Sequence, residues 1–307
     1  MAGPVTLDCP AKVNLALAVD PPQPNDPRRL HPIASWMAAL SFADTLTVER
    51  VVPDSESPGE SSFELAYAPD APVPGAIDWA LEDDLMFRAH ALVEQRMGRP
   101  LAVRVELQKR IPTGAGLGGG SSDAAGMIVA LDRLFELGLN ASDQSALAAE
   151  LGSDVHFALG VLAGQTSSIV TGTGDQVEPA PCSATWPIHL VLILPPFGCP
   201  TGAVYAAFDR LNASKSPINA DDIRELARGF TPGNRELFND LTAAAADVQP
   251  RLKSLLEDLG RLSPRPVHVT GSGAACFAVT DSADDAEGLA QVIRDELNVA
   301  ALSTQTI

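Results

Sequence analysis

Eleven residues, Pro112-Thr113-Gly114-Ala115-Gly116-Leu117-Gly118-Gly119-Gly120-Ser121-Ser122, carry five glycines and separate two segments of different periodicity. Before them, Leu101, Val103, Val105 and Leu107 alternate as in a strand with one buried face. After them, Ala124 to Leu137 predicts a helix ended by Gly138. Glycines at such a joint allow positive φ and bring backbone N–H groups close to a ligand without Cβ obstruction. Ser121 and Ser122 stand where an N-cap belongs, and a helix start adds partial positive charge. Together these features predict an anion site, most naturally for phosphate. A flexible linker is the alternative reading, but linkers seldom join a clear strand to a clear helix.

Two better-known phosphate motifs do not account for the run. A Walker A loop ends in Gly-Lys-Ser/Thr, whereas Ser121 follows the last glycine here. Gly114, Gly116 and Gly119 satisfy GxGxxG literally. A dinucleotide site also needs an acid closing a second strand about 20 residues on. That distance falls near Asp132 or Glu136, inside the predicted helix.

Charge narrows the partners. Lys and Arg number 21 against 39 Asp and Glu, a formal charge of −18. Such a surface repels nucleic acids and anionic membranes, so neither is expected as a partner. Of 307 residues, 46% are hydrophobic but only 5% aromatic, enough for two linked lobes with aliphatic cores. Cys9, Cys182, Cys199 and Cys276 show no metal-ligand spacing and read as reduced thiols. With no secretory signal in residues 1–20, the expected location is the cytoplasm.

Asp20–Arg29, Pro53–Ser62 and Pro69–Gly75 read as loops, rich in proline and small polar residues. Ile33–Arg50 ends in the strand-like Thr45-Leu46-Thr47-Val48, and Leu85–Met97 predicts a helix stopped by Gly98 and Pro100. Ser142 is the expected N-cap of a helix to about Leu151, with an incomplete capping box. Ile188–Leu194 reads as a strand, followed by helical segments Ala203–Leu211, Ile223–Ala227, Leu237–Ala246, Leu252–Leu259 and Ala283–Leu297.

The run Pro-x-Gly-x-Gly-Leu-Gly-Gly-Gly-Ser-Ser-Asp-Ala-Ala resembles the central motif of the GHMP kinases, the group that includes galactokinase, homoserine kinase and mevalonate kinase. The resemblance extends along nearly the whole chain. Pro10-Ala11-Lys12-Val13-Asn14-Leu15, Gly152-Ser153-Asp154-Val155, Phe238-Asn239-Asp240-Leu241 and Thr270-Gly271-Ser272-Gly273-Ala274 match further family signatures. The first two resemble the branch that phosphorylates the 2-hydroxyl of a cytidyl diphosphate alcohol for non-mevalonate isoprenoid synthesis. A GHMP kinase with another alcohol acceptor, or a silent ATP-binding sensor on the same fold, are the alternatives. Lys12 and Asp154, both present, disfavour the sensor.

The resemblance implies an α/β (α+β) fold of two lobes, with ligands meeting in the cleft between them. Residues 1–182 would form a lobe like ribosomal protein S5 domain 2, and residues 183–307 a ferredoxin-like one. ATP would lie on Pro112–Ser122. Mg²⁺ would accompany it, held mainly by phosphate and water, with Ser121 and Ser122 as candidate protein oxygens. Asp154 would accept or orient the acceptor proton, with Lys12 as its cationic partner. Asn14, His31 and Thr201 would lie on the substrate side. Lys109 reads equally as a residue near the nucleotide and as a solvent-facing lysine. The chain departs from the family at Leu30, where a Tyr is usual, at His156 in place of a Pro, and at Asp84 in place of an Asn. Arg28 and Arg29, just before Leu30, are candidate phosphate contacts or solvated charges.

Overall fold

Twenty α-helices and β-strands, besides a single 3-10 turn at Leu81–Asp83, follow one another among the residues that the computed structural model describes, 3–22, 30–52, 59–181, 186–211, 219–231 and 236–307. In chain order they are β1 (Val5–Val19), β2 (Ile33–Arg50), β3 (Ser62–Tyr67), α1 (Leu85–Met97), β4 (Val103–Lys109), α2 (Gly119–Phe135), α3 (Ala141–Leu151), α4 (Ser153–Leu162), β5 (Ser167–Gly172), β6 (Gln176–Pro179) and β7 (His189–Leu194). Then come α5 (Thr201–Arg210), α6 (Ala220–Gly229), β8 (Phe238–Asn239), α7 (Thr242–Val248), α8 (Pro250–Leu262), β9 (His268–Val269), β10 (Cys276–Val279), α9 (Ala283–Leu297) and β11 (Ala300–Gln305). Arg28, Arg29, Cys182 and most of the expected loop Pro53–Ser62 lie outside the described residues.

The chain divides into two compact units. The first comprises Met1–Ala11, Ala43–Ile111 and Gly118–Gly164. Here Thr45–Arg50 of β2 pairs antiparallel with β4, and β3 runs parallel to β4. Parallel neighbours need a crossover, and α1 supplies it. Along β4 the side chains of Val103, Val105 and Leu107 are buried while Arg104 and Glu106 face out, the period-2 pattern its sequence predicts. The buried face packs on α1 and α2 through Leu46, Met86, Val93, Ile128 and Leu131.

The second unit comprises Lys12–Phe42, Pro112–Leu117 and Gln165–Ile307. Within it β5 pairs with residues 33–38 of β2, β6 returns as a hairpin on β5, and β8 joins β1 in parallel at Ala16 and Leu17. A separate antiparallel sheet has the order β11-β7-β10-β9. Strand, helices, two strands, helix and strand in that order make the split β-α-β arrangement of ferredoxin-like folds. Val191, Ile193, Phe208, Leu252 and Ile293 form part of its core. The molecule is therefore mixed α/β. Cys9, Cys199 and Cys276 are buried free thiols, each raised by burial above its ordinary pKa.

Several boundaries differ from the sequence reading. Helix α2 begins at Gly119, five residues early, because glycine's lack of a side chain does not stop a helix whose following face is well packed. The N-cap of α3 is Asn140, not Ser142: its side chain accepts from Ser142 N and Asp143 N, and Asp143 returns the bond to Asn140 N. The capping box is thus complete, with Asp in place of the longer acid. The expected helix Leu237–Ala246 opens instead as β8, whose Asn239 side chain donates to Val269 O and Gly271 O, and becomes helical only at Thr242. Strands β5, β6 and β11 carry too weak an alternation to be read from sequence, whereas β3 alternates Phe63, Leu65 and Tyr67 with Ser62, Glu64 and Ala66 but is only six residues long.

Candidate phosphate-binding site

The glycine run spends its carbonyls on the protein. Gly114 O accepts from Cys199 N at 3.2 Å, Ala115 O from Ala275 N at 3.0 Å, and Leu117 O from Lys12 N at 2.9 Å. Gly116 O accepts from Lys12 Nζ at 2.8 Å. In a planar trans peptide the N–H points opposite to the C=O. The N–H groups of Ala115, Gly116, Leu117 and Gly118 therefore face away from these partners, and none has a backbone acceptor among the described residues. In the other compact unit, the start of α2 likewise leaves its opening N–H groups without intrahelical partners. Outward-facing backbone donors and a positively polarised helix start are each suited to holding an anion.

Close packing explains the glycines. Gly116 has φ 77°, and a Cβ there would stand 2.4 Å from Thr270 O. Gly119 has no room either, as its Cβ would lie 2.8 Å from Ile111 Cγ2. Gly118, at φ 70°, is itself the N-cap of α2. That role was expected of Ser121 or Ser122. Both fall inside the first turns instead, Ser122 buried and Ser121 half-buried, because Gly118 takes the N-cap position in a left-handed conformation that glycine adopts without strain.

Lys12 and Asn14 are two apart on β1 and so share one face of the strand. Lys12 is 6% exposed, and its Nζ donates to Asn14 Oδ1 at 2.7 Å as well as to Gly116 O. Thr270 Oγ1 accepts from Asn14 N at 3.0 Å and lies 3.5 Å from both Asn14 Oδ1 and Gly116 O. Lys12, Asn14, the phosphate loop and the Thr270–Gly273 turn are thus one network. Sequence reasoning had matched that turn to a family signature without assigning it work.

Asp154, in the other compact unit, is the second residue of α4 and half-buried. The helix start favours its carboxylate. Two residues on, His156 Nδ1 is buried with no hydrogen-bond partner among the described residues.

His31 donates from Nδ1 to Asp20 O at 2.8 Å, a tautomer required by the accepting carbonyl. Its Nε2 lies 3.5 Å from Asp209 Oδ1. The ring packs 4.9 Å from Tyr205 and edge-on to Phe208 at 5.8 Å. Asp209, Tyr205 and Phe208 are all on α5, the helix that Thr201 begins; the Thr201 hydroxyl is 3.0 Å from Ser272 Oγ. The aromatic partners on α5 escaped the sequence reading because no local pattern links residue 31 to residue 205.

Lys109 does not face solvent. It is 4% exposed and donates to Asp44 Oδ2 at 2.6 Å and Asp123 Oδ2 at 2.7 Å. Asp44 Oδ1 also accepts from Arg110 N and Ile111 N. Burial would lower the ammonium pKa, but Asp123 and Asp44 outweigh it and hold the group well above its ordinary value. Asp123 is raised, first by burial and then by the nearby Asp44 charge, against the lowering effect of Lys109. Its Oδ1 is buried without a hydrogen-bond partner among the described residues.

Among the described residues no three His, Cys, Asp or Glu side chains group as a metal site, and no helix is long and apolar enough to cross a membrane. A magnesium ion carried on phosphates needs only one or two protein oxygens, and the Ser121 and Ser122 hydroxyls in the first turn of α2 are candidates.

The family model for the GHMP kinase N-terminal domain matches residues 84–169, and the model for the GHMP kinase C-terminal domain matches residues 216–299. The chain belongs to the GHMP kinase family. Within that family it is similar over most of its length to enzymes of one name. The 4-diphosphocytidyl-2-C-methyl-D-erythritol kinase of Thermobifida fusca (strain YX) is 35% identical over 295 residues, covering 94% of this chain and 91% of that one. The enzyme of the same name from Nocardioides sp. (strain ATCC BAA-499 / JS614) is 36% identical over 285 residues, 92% of this chain and 90% of the other. A crystal structure of 4-(cytidine 5'-diphospho)-2C-methyl-D-erythritol kinase matches with a TM-score of 0.74 and 31% identity, covering 99% of this chain and 100% of that one. Mevalonate kinase of L. major, in complex with R-mevalonate, shares the fold at a TM-score of 0.65 and 14% identity, covering 98% of this chain and 95% of the other.

Proposed function

We propose that this chain transfers the γ-phosphoryl group of ATP to the 2-hydroxyl of 4-diphosphocytidyl-2-C-methyl-D-erythritol. The observation that carries the phosphoryl-transfer reading is the amide row of residues 115–118, aimed away from carbonyls that the protein has already engaged. The acceptor rests on the names of the relatives and on the motif around Lys12 and Asn14.

In this reading the amide row and the start of α2 bind the ATP phosphates, and Lys12, pinned to Gly116 O, offsets negative charge on the transferring group. A bond forms between the acceptor oxygen and Pγ while the bond from Pγ to the bridging oxygen breaks, and ADP leaves with the electron pair. The hydroxyl proton passes toward Asp154. Mg²⁺ would neutralise phosphate charge, held mainly by phosphate and water, with Ser121 or Ser122 as a candidate protein oxygen. Asn14 and His31 would serve the cytidyl end of the acceptor, with Thr201 also on the substrate side.

The test is coupled ADP release with the cytidyl acceptor, Mg²⁺ and ATP, beside Lys12→Ala. Acceptor-dependent ADP formation that Lys12→Ala abolishes supports the reading. No turnover with this acceptor, but turnover with a mevalonate-like, sugar or amino-acid alcohol, would move the chain to another branch. Leu30, exposed where a Tyr is usual, makes that panel worth running.

A further inference from the structure

Beside Lys12 and Asn14 lies a third buried polar group, the hydroxyl of Ser35 on β2, with no solvent exposure. Its hydrogen bonds dictate which way the Asn14 amide faces. Ser35 Oγ is 2.7 Å from Ala16 O, and a carbonyl only accepts, so the hydroxyl proton goes there. Ser35 Oγ can then only accept from Asn14 at 2.8 Å, and the atom facing it must be Nδ2. The other end of the amide, Oδ1, is thereby turned to Lys12 Nζ at 2.7 Å. An ammonium has only donors, so a flipped amide would set N–H against N–H. A proton order thus runs from the β1 backbone through Ser35 and Asn14 to the lysine that holds Gly116 O.

We propose that Ser35 is a positioning residue for phosphoryl transfer, locking Asn14 with its oxygen toward Lys12 and so fixing the ammonium against the phosphate loop. This rests on the role proposed above for Lys12. Without the hydroxyl, Nδ2 loses its acceptor and both amide orientations become available. Lys12 then leaves its position for part of the time, and misplacement on the scale of 1 Å lowers turnover by up to about a hundredfold.

The experiment measures kcat and KM for ATP in Ser35→Ala, Ser35→Thr, Asn14→Ala, the Ser35→Ala/Asn14→Ala double variant and Lys12→Ala. Ser35→Ala is expected to lower kcat about tenfold or more with KM for ATP changed less than about threefold, and Ser35→Thr, which keeps the hydroxyl, to restore most of it. The double variant should be no slower than Asn14→Ala alone, because Ser35 acts only through Asn14. Ser35→Cys, of similar volume but weak in hydrogen bonding, takes the place of Ser35→Ala if the latter fails to fold. Wild-type kcat in Ser35→Ala alongside a crippled Asn14→Ala overturns the proposal, as does full additivity in the double variant. Wild-type turnover in Lys12→Ala would instead overturn the role of the lysine.

Discussion

Lys109 Nζ donates to Asp123 Oδ2 at 2.7 Å, tying the last residue of β4 to α2 just past the glycine run. Asp44 completes the brace from β2 and also holds the amides of Arg110 and Ile111. Both stems of the phosphate loop are therefore fastened to one buried cluster of two carboxylates and one ammonium. Such a cluster adds little stability when intact, because desolvation offsets attraction, but losing its cation leaves buried charge uncompensated. Lys109→Met is expected to lower the unfolding free energy by about 3–5 kcal/mol, read from urea denaturation. A loss below 1 kcal/mol would mean the carboxylates reach another cation or water.

The same cluster makes stability depend on pH. Burial raises the Asp123 pKa from 3.8 to about 8, so the folded state binds this proton more tightly than the unfolded one. Stability from this group is full below its unfolded pKa and is lost as pH rises toward the folded value. Half-buried His268, lowered by desolvation to about 4, has the opposite sign but acts only below its ordinary 6.5. Between pH 6.5 and 8.5 the urea midpoint should therefore fall in the wild type and fall less in Asp123→Asn. Equal slopes would remove Asp123 as the cause.

Gly116→Ala places a methyl group 2.4 Å from Thr270 O in a backbone at φ 77°. The loop must shift, and kcat/KM for ATP should drop about a hundredfold. Gly138→Ala is the control: φ is 67°, but nothing lies within 4 Å of the added Cβ. It should cost about 1–2 kcal/mol of stability and leave kinetics unchanged. Comparable kinetic loss in both variants would point to general destabilisation.

Asp154→Asn keeps the shape of the side chain and removes its basicity. If it takes the hydroxyl proton, kcat falls by about 10²–10⁴ with KM for ATP nearly constant. A fall below tenfold in steady-state turnover would assign Asp154 an orienting role only.

His31→Ala removes the ring held by Asp20 O, Asp209 and Tyr205. KM for the acceptor should rise about tenfold or more while KM for ATP holds, since lost uniform binding appears in KM. An equal rise for both substrates would show that His31 supports the fold instead.

Sequence alone determined the class of chemistry and the elements nearest to it. Strong period-2 alternation at 103–107 marked β4, and α9 was read with its observed ends, because its N-cap serine and apolar spacing agree. The glycine run was legible as a candidate phosphate loop because backbone freedom is a property of residue type. Tertiary structure decided what local pattern cannot encode. Whether Lys109 faces solvent or two carboxylates depends on Asp44, 65 residues away, and on Asp123 across the loop. Which side of the loop presents its amides depends on carbonyl partners at 12, 199 and 275. The glycines permit many loop conformations, and contacts distant in sequence select the one that leaves a row of donors for an anion.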